Sequence, residues 1–203
     1  MKKFINTRTN LIGSICLAVT TLSISATPKA YEIKDFDVAG IRLGMTTAQA
    51  VDAVISKYKI DKSRIKFLPP YPNPITNKKE LNSFSVDFDS NKRLQVDLEA
   101  KIPPDRDNPM IIVRVLYKMS DTPDNKNLMT VSAFDKYGEP TDKQLIGTYF
   151  WCSKPALHGI GCSQNQRGLE LIQAGTSLTL QDGGYSQLSS DYLKNLKNSK
   201  PAF

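Results

Sequence analysis

The sequence predicts an α+β fold, in which an antiparallel sheet has two main helices packed on one face. Two segments place apolar residues at helical spacing, and each is followed by runs in which apolar and polar residues alternate. Stretches of turn-forming residues separate several of these runs, which favours antiparallel hairpins over parallel crossover units. A sheet of this kind buries one face against its helices, as an α+β domain does.

The first helix is predicted over residues 47–58. Thr46 and Gln49 have the spacing of a capping box, in which each side chain accepts a hydrogen bond from the backbone of the other residue. The following residues place apolar side chains on one side of the helix: Ala50, Val51, Val54, Ile55 and Tyr58. Gly44 is expected to take a backbone conformation that larger residues avoid, because the chain must turn sharply into this helix.

A proline-rich segment, residues 68–74, is predicted to be a connector. Its prolines exclude a helix and a central strand, because each removes a backbone donor. A hairpin is predicted over residues 83–99, since two alternating runs flank the turn-forming residues 89–92. A more apolar strand is predicted from Met110 to Tyr117.

The second helix is predicted from Leu128 to Tyr137, with Gly138 as its left-handed cap. Its apolar stripe consists of Met129, Ala133, Phe134 and Tyr137. Strands are predicted over residues 145–151, 169–173 and 177–181, and a short terminal helix over residues 191–196.

The first residues have the layout of a secretory signal peptide, with basic residues, a short apolar core from Leu11 to Leu22 and cleavage near Ala26 or Ala30. The apolar core is shorter than the roughly twenty residues that a membrane-spanning helix needs. Residues 1–26 hold three of the 27 basic residues and none of the 20 acidic ones, so the mature chain has only four excess positive charges. These observations predict a periplasmic or secreted protein with no membrane span and no nucleic-acid partner.

Residues 31–203 have the usual length of one domain and are predicted to form a single α+β unit. The order of the predicted elements also suggests two halves, residues 31–119 and 120–203. Each half would consist of one helix followed by a meander of strands.

Residues 44–51 (GMTTAQAV) resemble the opening motif of small envelope proteins related to the outer-membrane assembly lipoproteins of the SmpA/OmlA type. That fold is shared with the β-lactamase inhibitory protein. In such proteins the motif opens a helix that ends near Gly-x-Pro, followed by a strand with an aromatic cluster. Residues 138–140 (GEP) and 149–151 (YFW) resemble this second part, at the second helix. The resemblance implies an α+β fold and a role as an assembly factor or inhibitor, and it supplies no catalytic residues.

Of the three cysteines, Cys16 lies in the signal core, which leaves Cys152 and Cys162 as a pair. An even pair in an oxidising compartment predicts a disulfide bond. The alternative is a zinc site that also uses His158, the one histidine, but this set has only three ligands.

No catalytic residue, metal site or cofactor is predicted. The carboxylates Asp87, Asp97 and Glu99 alternate with apolar residues along the hairpin, which indicates the solvated face of a sheet. They could instead serve a hydrolase that uses carboxylates only, provided that they converge in a cleft.

The sequence therefore predicts a non-catalytic exported protein-binding module of the bacterial cell envelope, whose partner is an unknown envelope protein. The alternatives are a small inhibitor or immunity-type protein that blocks an envelope enzyme, and a carboxylate-only cell-wall hydrolase. Tyr149, Trp151 and Tyr71 are the candidate partner surface, because exposed Tyr and Trp side chains bury large areas in interfaces. For Tyr149 and Trp151 the competing interpretation is packing in the core.

Overall fold

The computed structural model describes residues 30–144, 147–156, 161–162 and 168–199. The predicted leader, residues 1–26, lies outside this range. The described helices are α1 (Thr47–Tyr58), α2 (Pro123–Tyr137) and α3 (Tyr185–Asn198). The described strands are β1 (Ile65–Phe67), β2 (Tyr71–Asn73), β3 (Lys78–Glu80), β4 (Ser83–Asp89), β5 (Lys92–Ala100), β6 (Met110–Met119), β7 (Asp142–Gln144), β8 (Thr148–Cys152), β9 (Leu169–Ala174) and β10 (Ser177–Asp182). Within the described ranges, no helix combines the length and the apolar content needed to cross a bilayer.

Eight strands form one sheet in the order β1-β4-β5-β6-β10-β9-β8-β7, and β2 and β3 form a separate hairpin. Every neighbouring pair is antiparallel, so the predicted α+β class with an antiparallel sheet is confirmed. The strands that precede α2, namely β1, β4, β5 and β6, form one half of the sheet. The strands that follow α2, namely β7 to β10, form the other half. The pairing of β6 with β10 joins these two groups at the centre of the sheet.

The first helix has the predicted bounds and the predicted cap. The Thr46 hydroxyl accepts a hydrogen bond from the Gln49 backbone N–H at 3.3 Å, and the Gln49 side-chain oxygen accepts one from the Thr46 N–H at 3.0 Å. Gly44 has φ +80° and donates its N–H to the carbonyl of Ile112 at 2.8 Å. A positive φ is strained for residues with a Cβ, so glycine is the residue that fits this turn, which precedes α1 and is hydrogen-bonded to β6.

The core is formed by the inward side chains of the central strands together with both main helices. Along β5 the buried and partly exposed residues alternate, as expected for a strand with one solvated face. The following residues belong to the same buried cluster: Val51 and Val54 of α1, Met129 and Ala133 of α2, and Phe84, Leu94, Val96, Val115, Leu171 and Leu180 of the sheet.

The second helix begins at Pro123, five residues before the predicted start. Thr122 caps it by accepting a hydrogen bond from the Asn125 N–H at 3.2 Å, and proline at the first helical position needs no backbone partner. The first turn is polar and exposed, so an apolar pattern could not reveal it. Gly138 ends the helix with a positive φ, although its ψ lies outside the left-handed helical region.

The third helix begins at Tyr185, whereas the sequence placed a shorter helix at residues 191–196. Tyr185 is buried and donates its hydroxyl hydrogen to the carbonyl of Ala100 at 2.9 Å. This contact lies 85 residues away in the sequence, which explains why local spacing did not predict the start of the helix.

The proline-rich segment is more than a connector, because residues Tyr71–Asn73 form β2 and pair with β3. The Asn73 side chain accepts hydrogen bonds from the backbone of Ile75 and Thr76, which shapes the turn between the two strands. Ile75 is only 7% exposed and belongs to the main core. The hairpin therefore stands outside the sheet but is fixed to the domain through its turn.

The other predicted strands agree closely with the structure, whereas β1, β3 and β7 were not predicted. The hairpin over residues 83–99 is β4 and β5, and the third strand continues two residues further, to Met119. Residues 145–146 of the predicted strand over residues 145–151 lie outside the described range, and β8 covers Thr148–Cys152. The predicted strands over residues 169–173 and 177–181 are β9 and β10, which pair as an antiparallel hairpin.

Candidate functional site

Cys152 and Cys162 form the predicted disulfide bond, with 5.3 Å between their Cα atoms. Cys152 ends β8 and is fully buried, and Cys162 is 8% exposed. Gly161, with φ +83°, lies so close to the Phe150 ring that a Cβ at this position would be 3.2 Å from it. His158 lies outside the described residues. The two sulfurs are bonded to each other, so they do not supply the thiolates that a zinc site requires.

The structure contradicts the assignment of Trp151 to an exposed partner surface. Trp151 is 0% exposed, and its indole N–H donates to the carbonyl of Gly138 at 3.0 Å. Its ring makes edge contacts with Phe134 and Tyr137 of α2, at centroid distances of 5.9 and 6.0 Å. The competing interpretation, core packing, is therefore the correct one, because α2 covers the face of β8 that carries this side chain.

Tyr149 shares that face of β8 and is only partly exposed. Its ring packs edge-on against Phe134, with 5.0 Å between the centroids and 87° between the planes. Tyr71, in contrast, is 68% exposed at the start of β2. Of the three predicted surface aromatics, Tyr71 is thus the one that offers most of its ring to a partner.

The carboxylates of the hairpin are spread along the sheet. Ser83 lies opposite Asp97 in the register of β4 and β5, and Asp87 follows Ser83 by four residues. Four residues of a strand span about 13 Å, so Asp87 and Asp97 are far apart. Asp87 forms salt bridges with Lys66 at 2.9 Å and Arg93 at 3.7 Å. The hydrogen bond from Lys66 is the main reason why the pKa of Asp87 is lowered.

Asp97 and Glu99 are two residues apart on β5, and so their side chains point to the same side, about 7 Å apart along the strand. Asp97 forms a salt bridge with Arg114 at 3.2 Å. Glu99 is half-buried, and its pKa is raised by burial and by the negative charge of Asp97. The structure thus brings Asp97 and Glu99 close together but leaves Asp87 apart, paired with basic residues.

Exposed apolar side chains concentrate in the short segment from the end of β1 to the start of β2. In the part of the chain that the structure describes, six large hydrophobic residues are exposed, and three of them fall within residues 67–71. Phe67 is 39% exposed, Leu68 53% and Tyr71 68%. We call these three residues the edge surface. Contiguous apolar patches on the surface of a folded protein commonly mark sites of contact with a partner.

The backbone at the edge surface is open to a partner as well. β1 pairs with β4 on one side, and no other described strand lies beyond it. The Leu68 N–H donates to the carbonyl of Ser83 at 3.1 Å. Because the bonding direction alternates along an antiparallel strand, the N–H and C=O of Phe67 point away from β4, towards the open edge.

Basic residues surround the edge surface. Lys66 is exposed next to Phe67, and Lys78 and Lys79 lie on β3, opposite the residues of β2. Lys66 is paired with Asp87, whereas Lys78 and Lys79 form no salt bridge with any described residue. Glu80, an acid, lies directly opposite Tyr71, so the surface combines apolar side chains with these two lysines and one carboxylate.

Sequence reasoning identified Tyr71 but missed Phe67 and Leu68. The available signal was the pair of prolines that follows them. Proline cannot donate a backbone hydrogen bond, so Pro69 and Pro70 prevent the strand from continuing and leave the apolar residues beside them at the edge of the sheet.

Comparisons of the chain with models of protein families, with curated proteins and with solved structures found no match. The resemblance to the SmpA/OmlA type therefore stays an expectation drawn from the motifs at residues 44–51 and 138–140.

Proposed function

We propose that this protein is a non-catalytic, exported protein-binding module of the cell envelope, and that it binds its partner through the edge surface. The observation that carries the proposal is the concentration of half of the exposed large hydrophobic residues of the described chain in residues 67–71. Export is proposed from the leader-like first residues, and a disulfide bond is compatible with an oxidising compartment.

The geometry indicates the kind of partner. The apolar side chains of Phe67, Leu68 and Tyr71 would be covered by apolar side chains of the partner, with Tyr71 as the largest anchor. Lys78 and Lys79 outnumber the neighbouring Glu80 and favour acidic residues around that contact, since charge complementarity steers association and excludes wrong partners. The Phe67 ring contacts Phe84 of the core, to which α1 and α2 contribute, so the packed core would support the surface from inside.

A second candidate function, an inhibitor of an envelope enzyme, is favoured by the β2–β3 hairpin. This hairpin stands outside the main sheet, yet Ile75 fixes its turn to the core. A hairpin held in place by the core loses little conformational freedom on binding, which is what a tight inhibitor needs. The hydrolase interpretation has less support, because Asp87 is separated from Asp97 and paired with Lys66 and Arg93.

Affinity capture from envelope extract, followed by mass spectrometry, tests the proposal. The parent protein is compared with the double variant Leu68→Ser/Tyr71→Ser, in which the polar replacements remove two exposed apolar side chains. The matched control is Val131→Ser/Leu196→Ser, which removes two exposed apolar residues on α2 and α3. We expect the partner to be captured by the parent and by the control, and the affinity of the edge variant to fall at least about tenfold, as for a central interface anchor.

Equal capture by the edge variant and the parent would contradict the proposal, and so would a similar loss in the control. If the captured partner is an enzyme whose activity falls with added protein, the inhibitor function is the correct one. Export is checked separately with residues 1–35 fused to a reporter that is active only outside the cytoplasm.

A further inference from the structure

A pocket of about 340 Å³ lies between α1, α2 and the strands β5, β6 and β10, away from the edge surface. Its inner wall is apolar and buried, and consists of Val38, Met119, Met129, Ala133 and Leu178. This volume is within the range of pockets that bind small molecules in proteins. The wall can therefore cover an apolar ligand body and remove it from water.

Polar donors lie around the mouth of the same pocket. The hydroxyl groups of Tyr58 and Tyr117 make no hydrogen bond within the described part of the structure, although both side chains are about half-buried. Burial raises the pKa of Tyr58 to about 12 and also raises that of Tyr117, so both phenols keep their protons at neutral pH. Two unpaired phenolic donors beside an apolar wall favour a ligand with a hydrogen-bond acceptor at one end.

The charged residues that line the pocket, Lys92 and Lys136, are both basic. The Lys136 ammonium lies 2.8 Å from the Asp37 carboxylate, and the Lys57 ammonium lies 3.6 Å from the same carboxylate. Asp37 therefore forms salt bridges with two lysines. Lys92 is 3.7 Å from Asp89, a longer pairing between exposed groups. Asp37, Asp89 and Lys57 do not line the pocket, so the charged groups that a bound ligand would meet are the ammonium groups of Lys92 and Lys136. An anionic end is therefore better matched to this mouth than a cationic one.

We propose that this pocket binds a small apolar monocarboxylate, with its hydrocarbon body against the wall and its carboxylate at the mouth, near Lys92, Lys136 and the phenols. A water molecule occupies about 30 Å³ in the liquid, so the pocket holds about eleven non-hydrogen atoms. A medium-chain fatty acid of the length of octanoate has this size. The inference is independent of the protein-binding function, because it uses none of the residues of the edge surface.

Isothermal titration calorimetry of the folded protein with butanoate, hexanoate and octanoate tests the proposal, with octan-1-ol as the uncharged probe of equal length. We expect saturable binding of one octanoate per chain. The dissociation constant should fall about fourfold for each added methylene group, because each group buries further apolar surface. Octan-1-ol should bind more weakly than octanoate.

Two variants locate the site. Ser132 lines the pocket but is itself exposed, so Ser132→Trp is expected to fill the mouth without disturbing the core and to weaken octanoate binding at least tenfold. The matched control is Val131→Trp, which adds the same ring on the neighbouring exposed position outside the pocket and should leave binding unchanged. Lys92→Gln should weaken octanoate, up to about fivefold for an exposed charge, and leave octan-1-ol unchanged.

The absence of saturable binding at millimolar octanoate would overturn the proposal. Equal binding by Ser132→Trp and the parent would also overturn it, because the fatty acid would then lie elsewhere. If octan-1-ol binds as tightly as octanoate, the pocket selects apolar bodies and not anions, which overturns the assignment of a carboxylate ligand.

Discussion

Replacing both Cys152 and Cys162 with alanine is expected to lower the stability of the protein without abolishing its fold. The bond closes a loop between residues ten apart in the sequence, which removes extended conformations from the unfolded chain. For a loop of this size the loop-closure relation gives about 3 kcal/mol at 25 °C. Alanine is the better replacement because Cys152 is fully buried, where a serine hydroxyl would lack a partner.

This loss is smaller than the 5–15 kcal/mol by which a typical domain is stable, and the large core described above does not depend on the bond. For a domain of this length, each kcal/mol corresponds to roughly 2–4 °C in the midpoint of thermal unfolding. The double variant should therefore unfold about 6–12 °C below the oxidised parent. Reduction of the parent should produce a similar shift.

Circular dichroism during heating measures the midpoints, and a thiol titration in denaturant measures the state of the cysteines. The oxidised full-length chain should show one reactive thiol, Cys16, and the reduced chain three. Cys16→Ala is the matched control and should not change the midpoint. Three thiols in the oxidised chain, or equal midpoints for the parent and the double variant, would refute this reasoning.

Two further predictions concern the first helix and its connection to the second. Thr46→Ala removes the hydroxyl of the capping box and should cost about 1 kcal/mol, or roughly 2–4 °C in the midpoint of thermal unfolding. The control Thr47→Ala should have little effect. Equal midpoints for the two variants would show that the cap contributes nothing. Burial raises the pKa of Asp37. Hydrogen bonds from Lys136 and Gly40, together with the charges of Lys136 and Lys57, outweigh burial, so the pKa is lowered overall. A carboxylate with a lowered folded-state pKa stabilises the protein above its unfolded pKa of 3.8, and this contribution is lost as the pH falls through the folded-state value. The parent should thus lose more thermal stability than Asp37→Asn when the pH falls from 5 to about 2, and parallel losses in the two proteins would contradict the role of this carboxylate.

Local signals were sufficient for several parts of the fold. The capping box of Thr46 and Gln49 acts within one helical turn, so the bounds of α1 follow from neighbouring residues alone. The hairpin of β4 and β5 was predictable for the same reason, because alternation and a short turn determine which residues face each other. The disulfide followed from the number of cysteines in the mature chain.

The location of Trp151 depended on the tertiary structure. Alternation along β8 places Tyr149 and Trp151 on one face, but whether that face is exposed depends on where α2 packs, and no residue of β8 carries that information. Phe134 and Tyr137 of α2 cover it. The edge surface also depends on the tertiary structure, since Phe67 and Leu68 are exposed where no described strand lies beyond β1.

By itself the sequence determined the fold class, the first helix, the strand alternation and the cysteine pair, because each of these depends on residues close together in the chain or on composition. The tertiary structure alone decided which aromatic residues are exposed, and it formed the pocket, whose wall combines Val38, Met119, Met129 and Leu178 from four separate segments. Side chains so far apart in sequence meet only when the sheet and helices pack together, and local spacing does not encode that packing.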